Sequence, residues 1–390
     1  MTKQAIILSG GFGKRLSHIV SDVPKPMASV NGKPFLDYLT EILRNNGFNN
    51  FIFLTGFKSE IIENHFRERE NTICVKEETP LGTGGALLNI YDKLEDEFFV
   101  INGDTFFDID YSLIEDFSKD KNATIALRYS QEISRYGYVE LKNDFKINKF
   151  VEKTDFSDKK IDGYINAGIY YFKKIVLKEF AENYSGNFLS LETDIFPKLT
   201  ANGMLYGLPA GGCFIDIGIP SDYEKAQKII PERIKQTKKP ALFIDKDGTL
   251  IVNTEYPHGK NFEIIKSTIP IVEEYHDKNY YIIMVTNQAG IAKGKFNHSQ
   301  MQECLDGICE FYKNLGVNFD GVEYCPYHKD GILKDYSFDT LLRKPQAGMI
   351  LRACEKFKID LKNSIMIGDN KDIDKINLPY LQCKIIGVDL

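Results

Sequence analysis

Along this chain short apolar runs alternate with longer amphipathic stretches, and the alternation breaks once and then restarts. "AIILS", "NFIFLTG", "FFVINGD" and "TIALRY" read as strands, while "PFLDYLTEILRNNG" and "SEIIENHFRE" read as helices. The break is "PERIKQTKKP" (Pro231 to Pro240), bracketed by prolines, with four basic residues against one acid. After it come "ALFID", "YYIIMVTNQ", "VEYCPYH" and "SIMIGDN". A chain built this way folds as α/β, with mostly parallel sheets wound by helices on both faces. At about 150 residues per domain, 390 residues make two or three domains. The expectation is two different doubly wound domains, residues 1–230 and 241–390, joined by a solvated linker at 231–240. Phosphates and metals then belong at the carboxyl ends of strands.

Composition narrows the partners. A net charge of −6 gives nucleic acid no electrostatic support. No apolar run approaches the roughly 20 residues of a membrane span. The seven cysteines are odd in number and form no C-x-x-C, so a disulfide framework is not expected. The reading is a reduced, cytoplasmic protein acting on small molecules, with neither nucleic acid nor membrane as partner.

Each half opens on a strand that runs into a chemically loaded loop. In "IILSGGFGKRL" three glycines (Gly10, Gly11, Gly13) follow a strand ending near Leu8, so backbone N–H groups can approach a polyphosphate. The spacing fits neither a P-loop, since Arg15 follows Lys14, nor a dinucleotide fingerprint, since position 16 is leucine. Arg15 can grip phosphate bidentately, and Lys25, between two prolines, is a fixed point charge.

The order G-G-x-G-x-R-L, "PKP", "ETPLGTGGA", "NGDTFF", "VEK", "NAGIYYF" and "FIDIGIPSDY" resembles the sugar-1-phosphate nucleotidyltransferases over residues 3 to 228. That resemblance implies a Rossmann-like domain. In it Leu8, Gly10, Gly11, Gly13, Glu77, Glu78, Gly82 and Thr83 bind the nucleotide, and Glu152, Lys153, Asn166 and Gly168 bind the sugar phosphate. Asp104 and Asp216 would hold Mg²⁺, with Arg15 and Lys25 on the triphosphate. A carboxylate at Glu77 or Glu78 would accept the N1–H and N2–H of guanine, which implies GTP.

In the second half, Asp245 and Asp247 stand at i and i+2 where "ALFI" ends, so extended geometry turns both side chains the same way. "MVTNQAGIAKG" supplies Thr286 and Asn287, "LLRKPQAG" supplies Arg343 and Lys344, and "IMIGDNKDID" supplies Asp369. This set resembles the haloacid-dehalogenase-like phosphatases, and "TNQAGIAKGKF", "YCPYH" and "RKPQAGM" resemble their heptose-bisphosphate and histidinol-phosphate branch. The resemblance implies Asp245 as nucleophile, Asp247 as general acid and base, and Thr286 and Lys344 on the phosphoryl oxygens. Asn287 and Arg343 would bind substrate farther out. Mg²⁺ would lie on Asp245, the Asp247 carbonyl and Asp369. Asp372 and Asp374 compete for a further acid in the last motif. Many relatives carry a zinc loop of C-x-H paired with C-x-C. Here Cys325 remains, but Tyr327, Thr340 and Leu342 occupy the other positions, so no structural zinc is expected.

Together the resemblances imply consecutive steps: loss of the 7-phosphate from a heptose 1,7-bisphosphate, then guanylylation of the heptose 1-phosphate. Mannose 1-phosphate, a histidinol-phosphate-type phosphatase, or a non-catalytic half are the alternatives.

Overall fold

A computed structural model describes residues 3–11, 16, 19–131, 133, 138–151, 162–254 and 258–387. It divides into two compact units. The first comprises Met1–Arg128, Tyr138–Val151 and Ile165–Gln236; the second comprises Thr237–Leu390 with the short segments Tyr129–Gly137 and Glu152–Tyr164.

The first unit is built on β1 (Lys3–Ser9), β2 (Phe48–Thr55), β3 (Thr72–Lys76) and β4 (Glu97–Asn102), with α1 (Phe35–Asn45), α2 (Ser59–Phe66) and α3 (Gly82–Leu88) between or after them. Two short strands, β5 (Thr105–Phe107) and β11 (Phe214–Asp216), pair antiparallel and bring Asp216 opposite Thr105. The large sheet also takes in β6 (Ala123–Ser130), β7 (Tyr138–Leu141), β8 (Ile147–Val151), β9 (Gly163–Lys173) and β10 (Leu205–Pro209). Its order is β8-β7-β9-β4-β1-β2-β3, with β6 paired to β9 and β10.

From β4 to β3 the strands are parallel, and the centre of β1 (Ala5 to Ile7) is fully buried, as a strand covered on both faces requires. The sheet is less parallel than expected. β9 runs antiparallel to β4, and β7 pairs antiparallel with β8 across a short connection that needs no crossover helix. The carboxyl ends of the parallel strands still share one edge, and Gly10, Glu77 and Asp104 lie just beyond it.

The second unit is fully parallel: β12 (Ala241–Ile244), β13 (Tyr281–Asn287), β14 (Gly321–Cys325), β15 (Ile365–Gly368) and β16 (Gln382–Ile385), in the order β14-β13-β12-β15-β16. All four residues of β12 are fully buried. Leu242 and Ile244 pack into a cluster with Leu305 and Ile308 of a long helix, His298–Asn314. Asn297 caps that helix through a reciprocal box with Gln300.

The expected linker needs correction over its first half. The helix Pro220–Lys235 runs straight through Pro231. Arg233 is held there by a buried ion pair to Asp108 at 2.8 Å, which outweighs the local break that proline favours.

Candidate active sites

The first unit holds a cavity of about 640 Å³ at the strand ends, lined by Leu8, Gly10, Gly11, Lys25, Glu77, Glu78, Gly82, Thr83, Asn102 and Asp104. These residues reach one place from four separate stretches of sequence. Glu77 follows β3, and its backbone N–H donates to the Thr55 carbonyl at the end of β2 (2.8 Å). One carboxylate oxygen accepts the Leu81 N–H (2.8 Å), while the other lies 2.7 Å from where a Cβ on Gly10 would sit. Burial raises the Glu77 carboxyl, and the Leu81 N–H opposes that shift. Glu78 is exposed on the same rim.

At the other end of the cavity the Lys25 ammonium lies 2.5 Å from Asp104 Oδ2 and 3.6 Å from Asp216 Oδ1. Burial and then the Asp104 charge push the Asp216 carboxyl up; Lys25 and the Gly218 N–H oppose them. Two carboxylates this close need positive charge between them, so the donor set suits a hard divalent cation. Lys25 therefore lies on the two aspartates as well as on the cavity wall. Asn166 accepts the Gly168 N–H (2.9 Å) and donates to the Tyr170 hydroxyl (3.0 Å). Gly13, Arg15, Glu152 and Lys153 lie outside the described residues.

Two residues of this region carry no motif. Glu192 accepts hydrogen bonds from Thr83 Oγ1 (2.8 Å) and the Tyr170 hydroxyl (3.2 Å), joining the glycine-rich turn to β9. Phe188 lines the cavity itself. Neither stands at a strand end, and the glycine-rich turn they meet is about a hundred residues away, so no spacing rule marks them.

The second unit has its own cavity, of about 380 Å³, lined by Asp245, Asp247, Asn287, Gln288, Arg343, Lys344, Asp369 and Asp374. Asp245 directly follows β12, and its N–H is fixed by the Ile367 carbonyl of β15 (2.9 Å). Lys344 donates to both Asp245 and Asp374, the latter at 2.6 Å. Carboxylate oxygens of Asp245, Asp369 and Asp374 lie within 4.8 Å of one another. Burial pushes the Asp245 carboxyl up, Lys344 opposes it, and Asp374 adds to it. Asp369 is raised by burial and by Asp374. Three clustered carboxylates, of which Lys344 bonds two, remain short of positive charge, which again suits a hard cation.

Gly248 takes φ +84°, and a Cβ there would lie 2.2 Å from Asp369 Oδ2; only glycine lets the Asp247 turn and the β15 end approach so closely.

The choice between Asp372 and Asp374 falls to Asp374. It is buried on Lys344, whereas Asp372 is exposed. Asp247 accepts from Lys246 (2.5 Å) and from Gln288 Nε2 (3.1 Å). Thr286 is fully buried, and its hydroxyl accepts from Gln288 (2.8 Å), so Gln288 rather than Thr286 lines the cavity. Asn287 holds the Lys344 backbone at both ends, accepting its N–H (3.0 Å) and donating to its carbonyl (3.1 Å). One guanidinium nitrogen of Arg343 is buried without a hydrogen-bond partner among the described residues.

The loop before Arg343 is tied by a carboxylate absent from any motif. Asp162, also of the second unit, accepts from Thr340 Oγ1 (2.6 Å), the Leu341 N–H (3.1 Å) and the Tyr129 hydroxyl (3.0 Å). Thr340 is one of the positions named above, from the phosphatase resemblance alone, as lacking an expected zinc cysteine.

Residues 4–233 match the family model described as nucleotidyl transferase, and residues 240–377 match one described as polynucleotide kinase 3 phosphatase. The first match spans more than half of the chain. The chain belongs to the nucleotidyl transferase family and carries a haloacid-dehalogenase-like phosphatase domain after it, so it is a nucleotidyltransferase and a phosphatase in one polypeptide.

Over 231 residues it is 40% identical to the D-glycero-α-D-manno-heptose 1-phosphate guanylyltransferase of Aneurinibacillus thermoaerophilus, covering 58% of this chain and 97% of that one. The Campylobacter jejuni protein of the same name is 37% identical over 223 residues, covering 56% and 96%. The crystal structure of HddC from Yersinia pseudotuberculosis superposes with a TM-score of 0.51 at 35% identity, covering 58% of this chain and 99% of that one. No helix among the described residues is long and apolar enough to cross a membrane.

Proposed function

We propose that the two sites act in succession on one sugar. The phosphatase removes the 7-phosphate of D-glycero-D-manno-heptose 1,7-bisphosphate, and the nucleotidyltransferase joins GMP from GTP to the resulting heptose 1-phosphate, releasing pyrophosphate. The observation that carries this reading is 40% identity to a heptose 1-phosphate guanylyltransferase across nearly all of that relative, in a chain that also holds a phosphatase. A net charge of −6 argues for a small phosphate ester in the phosphatase rather than a nucleic-acid end.

In the phosphatase, an Asp245 oxygen attacks phosphorus as the bond to the sugar oxygen breaks, giving an aspartyl phosphate. Asp247, held by Lys246 and Gln288, protonates the leaving oxygen and then takes a proton from the water that releases inorganic phosphate. Lys344 offsets phosphoryl charge, and Arg343 with its unpartnered nitrogen faces the rest of the substrate. In the transferase, an oxygen of the sugar phosphate attacks the α-phosphorus of GTP and pyrophosphate leaves. Lys25 and Arg15 hold the triphosphate, and Lys153 holds the sugar phosphate. Mg²⁺ would be held by Asp104 and Asp216 in one site, and by Asp245, Asp369 and the Asp247 carbonyl in the other. There it would neutralise phosphoryl charge as the reacting anions meet.

The test is to incubate the protein with each anomer of the bisphosphate, Mg²⁺ and each nucleoside triphosphate, and to identify products by mass. GDP-heptose, phosphate and pyrophosphate are expected. Mannose 1-phosphate is offered in a parallel incubation, and nucleotide sugar formed only there would overturn the assignment. Free cysteines and soluble phosphate substrates fit a cytoplasmic enzyme.

Glu77 is the guanine reader in this scheme, because its free oxygen faces Gly10 from a half-buried position. A charge-assisted bond is worth roughly 1.5–3 kcal/mol. Glu77→Gln should thus lower kcat/KM for GTP by about ten- to a hundredfold. Equal use of GTP, CTP and UTP by the unaltered protein would rule the role out.

The Asp162 tie at Thr340 supports a phosphatase loop that needs no structural zinc. Elemental analysis should return far less than one zinc per chain, and a near-stoichiometric content would contradict this.

A further inference from the structure

We infer that Phe188 is a stacking platform for the nucleobase in the transferase cavity, an inference that rests on the guanylyltransferase reading above. Phe188 is 65% exposed, unusual for a phenylalanine, and it lines the same cavity as Glu77, Pro80 and Gly82.

Its exposure is built in by the backbone around it. The Leu189 N–H donates to the Leu81 carbonyl (2.8 Å), and the Leu189 carbonyl accepts from both Gly84 and Gly85 (2.9 Å each). Two residues on, the Leu191 N–H donates to Thr83 Oγ1 (2.8 Å). Segment 189–191 is thereby fastened to the glycine-rich turn on both sides, which fixes the position from which the ring projects.

The turn is shaped to accept it. Gly82 has φ +75°, and a Cβ there would lie 2.5 Å from the Leu189 carbonyl oxygen and 3.0 Å from the edge of the Phe188 ring. Glycine at 82 is what allows the ring to lie at the cavity wall.

An apolar face held toward water costs hydrophobic free energy unless a ligand covers it. The ligand that suits this wall is flat, with a π-face for Phe188 and polar edge groups for Glu77. A nucleobase has both. The sugar phosphate fits less well, since Asn166 and Gly168, expected on its side, do not line this cavity.

The test compares Phe188→Ala and Phe188→Tyr in the full chain. Base–aromatic stacking is lost on alanine substitution with an effect of roughly ten- to a hundredfold. Phe188→Ala should therefore raise KM for GTP by about that factor, leaving KM for the sugar 1-phosphate nearly unchanged, and Phe188→Tyr should restore it. Retained pyrophosphate-releasing activity at saturating GTP, with an unchanged KM for the sugar 1-phosphate bound by the same unit, reports that the variant's first unit is folded. A KM for GTP within about twofold of the parent, or a change confined to the sugar phosphate, would overturn the inference. A parent protein that uses another nucleoside triphosphate defeats the guanine reading alone. Stacking accepts any base, so the same KM comparison with that nucleotide then decides on Phe188.

Discussion

Asp245→Asn should abolish phosphate release while leaving guanylylation of supplied heptose 1-phosphate nearly intact. The amide is a poor nucleophile, cannot form the aspartyl phosphate, and is a weaker ligand for a hard cation. A loss of about a thousandfold or more is expected, the scale seen when a covalent nucleophile is removed. The substitution should not unfold the unit. Lys344 keeps its 2.6 Å contact with Asp374, so no buried charge is left alone. Transfer of GMP by the first unit, measured as pyrophosphate release, serves as the internal control. A single substitution that removed both activities would contradict the separation of the two chemistries.

Asp104→Asn should do the reverse. Asp104 and Asp216 share the Lys25 ammonium, and the pair is the natural seat for a divalent cation beside the triphosphate. Removing one charge should slow nucleotidyl transfer by roughly a hundred- to a thousandfold, the cost of losing one preorganised electrostatic contact at a reacting phosphate. Phosphate release from the bisphosphate should continue, so heptose 1-phosphate should accumulate. Pyrophosphate release at parental rate would remove Asp104 from the site.

Much of this arrangement is legible in the sequence because parallel strands end in loops, and loops at strand ends carry the polar residues. Gly10, Asp104, Asp245 and Asp369 each follow an apolar run, and the structure gathers them in two pairs, one in each cavity, as that rule requires. Residues placed by tertiary contact leave no such mark. Asp372 and Asp374 both lie in one short helix, and only the position of Lys344, thirty residues earlier, separates them. Glu192 reaches Thr83 across 109 positions, and Asp162 reaches Thr340 across 178, with no local pattern to announce either. Proline at 231 signals a break, yet the buried partner of Arg233 lies at Asp108 and keeps the helix going. Antiparallel β9 follows an apolar stretch that reads the same in either direction, since alternation records burial and not orientation.

The central claim is that two separate sites work in order on one substrate, and mixing the single variants tests it most directly. Asp245→Asn and Asp104→Asn proteins are each given only heptose 1,7-bisphosphate, GTP and Mg²⁺, alone and together, and GDP-heptose is measured by mass. Each variant alone should make almost none. The mixture should form it readily, as heptose 1-phosphate from the Asp104→Asn protein reaches the intact transferase of the other. GDP-heptose made by the Asp245→Asn protein alone would contradict it; a mixture that forms none while each partner keeps its remaining activity would argue for direct transfer between the sites.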